Sequence, residues 1–152
     1  MLKKIISGGQ TGADQGGLEA GKTLGLETGG TAPMNWFTEV GAKKELLQSF
    51  GLVEAIEPGY PFRTGVNVIN SDATILFGKA SSSGSLLTSS LCKYYKRPSI
   101  INPSKEHLLL FLETYKVGVL NIAGNRESKW PGIQATVKTF LVASLREYLR
   151  VE

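Results

Sequence analysis

The sequence has one cysteine, one histidine and no long apolar run, and each scarcity removes a class of protein. Cys92 alone forms no internal disulfide and has no second cysteine with which to build a zinc site, which agrees with a reducing compartment. His107 stands near the expected start of a helix without metal-ligand spacing and reads as a surface residue. The longest unbroken apolar stretch, Leu108 to Leu112, falls far short of the roughly 20 residues that span a bilayer. The N-terminus enters a strand without the apolar region and cleavage site of a signal peptide. The expectation is therefore a soluble, cytoplasmic protein with no membrane partner. Internal repeats, blocks of like charge and Ser/Pro tracts are lacking too, so residues 1–152 are expected to form a single domain. A net charge of +4 is modest, and the one dense basic cluster, Lys93-Tyr94-Tyr95-Lys96-Arg97, falls where a helix should end and cations complement its dipole.

What is abundant is glycine: 18 of 152 residues, against a typical share of about 7%. The glycines gather at turns between five short β-rich runs, Leu2 to Ile6, Thr28 to Ala32, Ala73 to Phe77, Ser99 to Ile101 and Gly118 to Ile122. Helical patterns alternate with these runs, which predicts an α/β fold with an open, mainly parallel five-stranded sheet and helices on both faces. The clearest helix starts at Pro131, with Ile133, Val137, Phe140, Leu141, Ser144, Leu145 and Tyr148 at three- and four-residue steps. Between Ser85 and Tyr95 the face bearing Leu87, Thr88, Leu91, Cys92 and Tyr95 makes Cys92 a small core residue, not a nucleophile. From Lys105 to Tyr115 the inward set is Leu108, Phe111, Leu112 and Tyr115, and Leu109 with Leu110 widens it toward a subunit contact. Gly16, Gly17 and Gly21 each cost about 1 kcal/mol in a helix interior, which a close approach by the sheet or by a ligand would justify. Pro33 to Pro61 reads as an insertion beside the carboxyl edge of the sheet, with Glu45 to Phe50 helical and Leu52 to Ile56 a short extra strand.

Ligands of open parallel sheets bind beyond the carboxyl ends of the strands, and three loops leave strand ends there. They are Ser7 to Asp14, Gly78 to Ser85 and Ala123 to Gly132, all rich in glycine or small hydroxyl residues. Three helix N-termini meeting at one mouth would attract an anion. The first loop fits neither G-x-G-x-x-G nor the P-loop pattern. Each candidate also has a plainer reading. Thr11 and Asp14 have the spacing of a capping box, or Asp14 is a hydroxyl acceptor or general acid/base. Ser81 to Ser85 is a capped solvated loop or an anion site. Arg126 and Glu127 form an exposed salt bridge or a phosphate clamp. Arg63 and Asn67, four apart on an expected helix, share a face. Asp72 precedes its strand and so lies at the wrong end of the sheet.

Ile6-Ser7-Gly8-Gly9-Gln10-Thr11-Gly12-Ala13-Asp14, Gly29-Gly30-Thr31-Ala32-Pro33, Arg63-Thr64 with Asn67-Val68, Ser71-Asp72-Ala73-Thr74, Ser83-Gly84-Ser85 and Asn121 to Ser128 with Pro131-Gly132 together resemble the bacterial "putative molybdenum carrier" proteins over nearly the whole chain. That family resembles a circularly permuted, YpsA-like branch of the Rossmann-like SLOG superfamily. The superfamily also holds the LOG-type nucleoside-monophosphate phosphoribohydrolases and the DprA DNA-processing proteins. The resemblance implies anion or phosphate contact at Gly8, Gly9, Gln10, Thr11, Gly12, Ser83, Gly84 and Ser85, with Arg63, Asn67, Arg126 and Glu127 flanking the pocket; Asp14 and Gly124, in the strand-end loops, are further ligand-binding candidates. In place of the family's cations after Pro33 stand Met34, Asn35, Trp36 and Phe37, of which Trp36 or Phe37 would stack on a flat ring.

Three functions follow as expectations. One is carriage of molybdate, the molybdenum cofactor or a nucleoside phosphate. Another is N-glycosidic cleavage of a nucleoside monophosphate, with Asp14 or Glu127 catalytic and no resident metal. The last is single-stranded DNA binding, for which a charge of +4 and one short cluster give poor support. Relatives of this kind often dimerise, so a homodimer is an expected assembly.

Overall fold

The computed structural model describes residues 1–150. Strand β1 (Lys4–Ser7) leads into helix α1 (Ala13–Thr23) and strand β2 (Glu27–Ala32). A 3-10 turn at Met34–Trp36 precedes a small antiparallel hairpin, β3 (Phe37–Thr38) and β4 (Gly41–Ala42), and then α2 (Lys44–Ser49) and β5 (Leu52–Glu54). The remainder alternates regularly: α3 (Tyr60–Ile69), β6 (Ala73–Phe77), α4 (Ser83–Tyr94), β7 (Ser99–Ile101), α5 (Lys105–Thr114), β8 (Val119–Gly124) and α6 (Ile133–Arg150). No helix among the described residues is long and apolar enough to cross a membrane.

Six strands form one parallel sheet in the order β5-β2-β1-β8-β6-β7. The expected five are all present, and the sixth is Leu52–Glu54, the optional strand inside the insertion, paired with Gly30–Ala32 at one edge. β1 has β2 on one side and β8 on the other, so the strand order reverses about β1 and leaves a crevice beyond its carboxyl end.

The two faces of this sheet differ in chemistry. Along β8, Leu120 and Ile122 point to the face covered by α1, α5 and α6, where they join Ile5, Ile75, Leu108, Phe111, Leu112, Val137, Leu141 and Leu145 in one apolar core. Asn121, between them, points the opposite way, and its amide donates to Thr74 of β6 at 3.2 Å. On that second face α3 and α4 pack against each other and against β2 and β8. Buried side chains there include Asn67, Thr74, Thr88 and Asn121 together with Cys92.

The glycines of α1 are explained by packing on the apolar face. A Cβ at Gly17 would stand 2.8 Å from Ile122, and one at Gly16 would meet the Gln134 carbonyl at 2.5 Å, so only bare backbone lets α1 lie this close to the sheet and to α6. No ligand is needed to account for them. Cys92 is 1% exposed in the core as expected, and burial raises its thiol pKa against an opposing hydrogen bond with Thr74. Asp72 sits at the far end of the sheet, its carboxylate taking the N–H groups of Gly118 and Val119, each at 2.8 Å. Arg97 of the basic cluster caps a different helix from its own, donating to the carbonyls of Ile69 and Ser71 at the end of α3.

Three local expectations are corrected. α6 begins at Ile133, since Pro131 and Gly132 form the turn before it. Tyr115 is 52% exposed because α5 ends at Thr114, and its ring meets Phe111 edge-on. Trp36 is 8% exposed, packed with Leu18, Ala32, Leu47 and Leu52, so it is core and offers no ring-stacking surface. Leu110 of α5 is exposed and His107 lies on the surface.

Candidate functional site

A cavity of about 680 Å³ opens at the carboxyl ends of β1, β6 and β8 and runs down between α3 and α4. Gly8, Gly84 and Gly124, one from each of the three loops, all line it, so the loops do converge on a single mouth. Its inner wall is the sheet at Asn121, flanked by Asn67 of α3 and Thr88 of α4, and Leu87 adds an apolar patch.

The first loop is closed upon itself. The Gly9 N–H donates to Ser7 Oγ at 3.4 Å, the Gln10 N–H to the Asp14 carboxylate at 3.1 Å and the Thr11 N–H to Gln10 Oε1 at 3.0 Å. The Gly12 N–H goes to Gln134 Oε1 at 2.9 Å and the Ala13 N–H to the Asn125 carbonyl at 3.1 Å. These amides were expected to face an anion, and the structure instead satisfies them internally. Gly12 takes a φ of +85°, which turns the chain into α1 and brings it against the Asn125–Glu127 backbone, where a side chain has no room. With Gly12 at the cap, the Thr11–Asp14 capping box is not formed.

Thr11 is instead part of a clasp. Its hydroxyl donates to Glu39, at the tip of the β3–β4 hairpin, and accepts the Glu127 N–H at 3.2 Å. Glu39 also accepts the Ser128 N–H at 3.1 Å and the Ser128 hydroxyl, while its own N–H donates to Gln10 Oε1 at 2.8 Å. Burial alone would raise the Glu39 pKa, but the hydrogen bonds from Ser128 and Thr11 and the charge of Arg126 outweigh it and hold the carboxyl below its ordinary value. The insertion therefore ties the first loop to the third. Glu127 does not reach the cavity, because its carboxylate takes the Gly132 N–H at 2.6 Å and the Gln134 N–H at 3.0 Å, capping α6.

Asp14 is 5% exposed and lies on the cavity wall. Burial raises its carboxyl to about 6, against the opposing charge of Arg63 and the N–H groups of Gln10 and Gly8. Arg63 reaches over Gly8 from α3, at a place a Cβ would fill, with Nη1 3.5 Å from the Asp14 carboxylate and its guanidinium 5.2 Å from the Tyr60 ring centre. Its Nε is buried and has no hydrogen-bond partner among the described residues. Asn67, the residue sharing its helical face, is committed to Thr31, accepting that residue's N–H at 2.8 Å and donating to its carbonyl at 3.0 Å.

The opposite wall is open. Ser82 caps α4 by accepting the Ser85 N–H at 3.3 Å, which turns Ser85 inward, while Ser83 and Gly84 line the cavity. Among the described residues no acceptor engages the Ser83 or Gly84 N–H, and a Cβ on Gly84 would meet only open space. Lys79, Arg126 and Lys129 stand around this wall, and no ion pair among the described residues includes them. Trp130 and Tyr60 complete it, 48% and 45% exposed. Of the expected residues, then, the cavity gathers Gly8, Gln10, Asp14, Arg63, Asn67, Ser83, Gly84, Gly124 and Arg126, and leaves Gly9, Thr11, Gly12, Ser85 and Glu127 behind its walls. Glu39, Tyr60, Lys79, Asn121, Lys129 and Trp130 were not singled out beforehand. Lys79, Lys129 and Trp130 lie in the strand-end loops, and that position was their signal. No group of His, Cys, Asp and Glu among the described residues is arranged to hold a metal ion.

Residues 5–145 match the model of the circularly permutated YpsA SLOG family. Among solved structures the chain is similar to the "Putative molybdenum carrier protein" of Syntrophus aciditrophicus SB, with 33% sequence identity, 95% of each chain covered and a TM-score of 0.84. No curated protein matches. With the match extending over nearly its whole length, and with the Rossmann-like parallel sheet that the relative shares, this chain belongs to the circularly permutated YpsA SLOG family.

Proposed function

We propose that the protein is a carrier that binds a phosphate-bearing, nucleotide-like ligand, the molybdenum cofactor being the candidate cargo, in the cavity at the carboxyl edge of the sheet. The observation that supports this best is the composition of the cavity lining. Four cations, Arg63, Lys79, Arg126 and Lys129, face a single carboxylate, Asp14, and two unengaged amides project from the first turn of α4. Fixed amides and cations at a helix N-terminus suit a phosphate monoester. The volume favours a ligand of nucleotide size over bare molybdate, since about 680 Å³ lies within the usual range of small-molecule sites. The name of the Syntrophus relative agrees with carriage.

Thermal unfolding with molybdate, inorganic phosphate, GMP and the molybdenum cofactor tests the proposal. Phosphorylated ligands are expected to raise the Tm, with a stabilisation of about 2.7 kcal/mol at a hundred times Kd. The double variant Lys79→Ala/Arg126→Ala is expected to lose that response while unfolding normally without ligand. A Tm that no phosphorylated ligand moves overturns the proposal.

A second reading, N-glycosidic cleavage of a nucleoside monophosphate, is favoured by one observation: a carboxyl held near pKa 6 on the cavity wall is suited to proton transfer at neutral pH. Release of free base from nucleoside monophosphates, abolished in Asp14→Asn, would establish it. Intact nucleotide recovered after prolonged incubation leaves carriage alone.

A further inference from the structure

The Trp130 side chain belongs to neither apolar cluster among the described residues, yet it lines the cavity. Its backbone is fixed, the N–H donating to the Arg126 carbonyl at 3.2 Å and the carbonyl accepting the Ile133 N–H at 3.0 Å. Two residues earlier, Ser128 is fastened to Glu39 by its N–H and its hydroxyl. The indole nevertheless stands 48% exposed on the cavity wall, beside the cations Arg126 and Lys129 of the same loop. Leaving half of an indole in water forfeits much of what burying it would contribute, as Trp36 shows by being 8% exposed in the core. Tyr60 repeats the pattern on α3. It is 45% exposed on the same cavity, with the Arg63 guanidinium 5.2 Å from its ring centre.

We infer that Trp130, with Tyr60 as the second aromatic wall, stacks on a flat fused heterocycle, and so makes the cavity select ring-bearing phosphates over ringless ones. The inference rests on the reading that this cavity takes a phosphate-bearing ligand, and it adds the residues that read the other end of that ligand. The mixed lining supports it. Cationic and amide groups that suit a phosphate, at Lys79, Ser83, Gly84 and Arg126, line the same cavity as Trp130 and Tyr60, whose π-faces carry no charge of their own. A bare oxyanion would leave the Trp130 ring unstacked and the Tyr60 ring with Arg63 alone. A fused ring of the purine or pterin kind uses them, because stacking depends on a π-face and tolerates variation at the ring edge.

The test is calorimetric titration of the wild-type protein, Trp130→Ala and Tyr60→Ala with GMP and with ribose 5-phosphate, which keeps the sugar phosphate and lacks the ring. In the wild type, GMP is expected to bind about tenfold more tightly than ribose 5-phosphate. Trp130→Ala should remove most of that ratio by weakening GMP alone, and Tyr60→Ala a smaller part of it. GMP should also quench the emission of Trp130 in a Trp36→Phe variant, where Trp130 is the remaining tryptophan. The inference is overturned by equal affinities for the two compounds in the wild type, or by a GMP to ribose 5-phosphate ratio unchanged in Trp130→Ala. Failure of both compounds to bind refutes the phosphate reading together with this one, whereas ribose 5-phosphate binding without a GMP advantage refutes this one only. Unfolding curves of the variants guard against a collapsed cavity, and the exposure of both rings predicts Tm values within a few degrees of the wild type.

Discussion

The two faces of the sheet are made by the same strands and serve opposite ends. Under α1, α5 and α6, alternate residues of β6 and β8 present Ala73, Ile75 and Phe77 with Leu120 and Ile122 to a continuous apolar core, and glycines on α1 bring that helix in close. Under α3 and α4 the intervening positions present Thr74 and Asn121, and the helices stand over a polar-walled cavity. A period of two along one strand thus separates the residues that hold the fold from those that shape the site. The lesson extends to the loops. The first glycine-rich loop and the loop before α4 look alike in composition. One has its amides engaged by its own neighbours and forms a rigid support, and the other keeps Ser83 and Gly84 unengaged.

The contrast is broken most forcefully from the apolar side. Leu141 is fully buried on α6, and Leu141→Ala is expected to cost about 2–5 kcal/mol in urea unfolding. Should the cavity face carry equal structural weight, Thr88→Ala would cost as much; the contrast requires it to cost far less.

A smaller effect of different character comes from Asp14. Its folded pKa of about 6 lies above the 3.8 that is ordinary for an aspartate, so the native state holds the proton more tightly than the unfolded chain. The favourable contribution is complete below pH 4 and is lost as pH rises through 6, by about 3 kcal/mol at most. The stability of the wild type relative to Asp14→Asn is therefore expected to fall between pH 4 and 7 and to level off above it. Parallel pH profiles for the two proteins would mean that Asp14 is not desolvated, and the cavity wall would lose its one perturbed acid.

Most of the sheet was legible because its strands are short β-rich runs between glycine turns, and the mouth was legible because strand-end loops must converge there. The expected helical pattern of the last helix fell on the buried Ile133, Val137, Leu141, Leu145 and Tyr148. What escaped was set by contacts distant in sequence. Trp36 and Trp130 are indistinguishable as letters, and only the packing of Leu18, Leu47 and Leu52 decides which indole is core. The Thr11–Asp14 spacing fits a capping box, but the positive φ at Gly12 and the pull of Glu39 redirect Thr11. The clasp itself has no local signature, since Glu39 lies 28 residues from Thr11 and 89 from Ser128.

That clasp supplies the finest test of the division between holding and shaping. Glu39 sits in a two-stranded hairpin apart from the main sheet, and its carboxylate joins two loops at the partly exposed rim of the cavity. Hydrogen bonds in such a place contribute about 1 kcal/mol or less to global stability, because water replaces them when they break. Glu39→Ala should therefore leave the urea midpoint close to that of the wild type. Locally the consequence is sharper. Without the carboxylate, the Ser128 N–H loses its acceptor, and the loop that carries Arg126, Lys129 and Trp130 loses its tie to the hairpin while keeping its own turns, the Glu127 N–H bond to Thr11 and the Ala13 N–H bond to the Asn125 carbonyl. Amide hydrogen exchange at Ser128 is expected to accelerate at least tenfold, while amides in β8 and α6 keep their protection. Uniform acceleration through β8 and α6 would instead show that the rim opens only when the core does. Site and scaffold would then be one cooperative unit, and the division drawn along the strands would not extend to the loops.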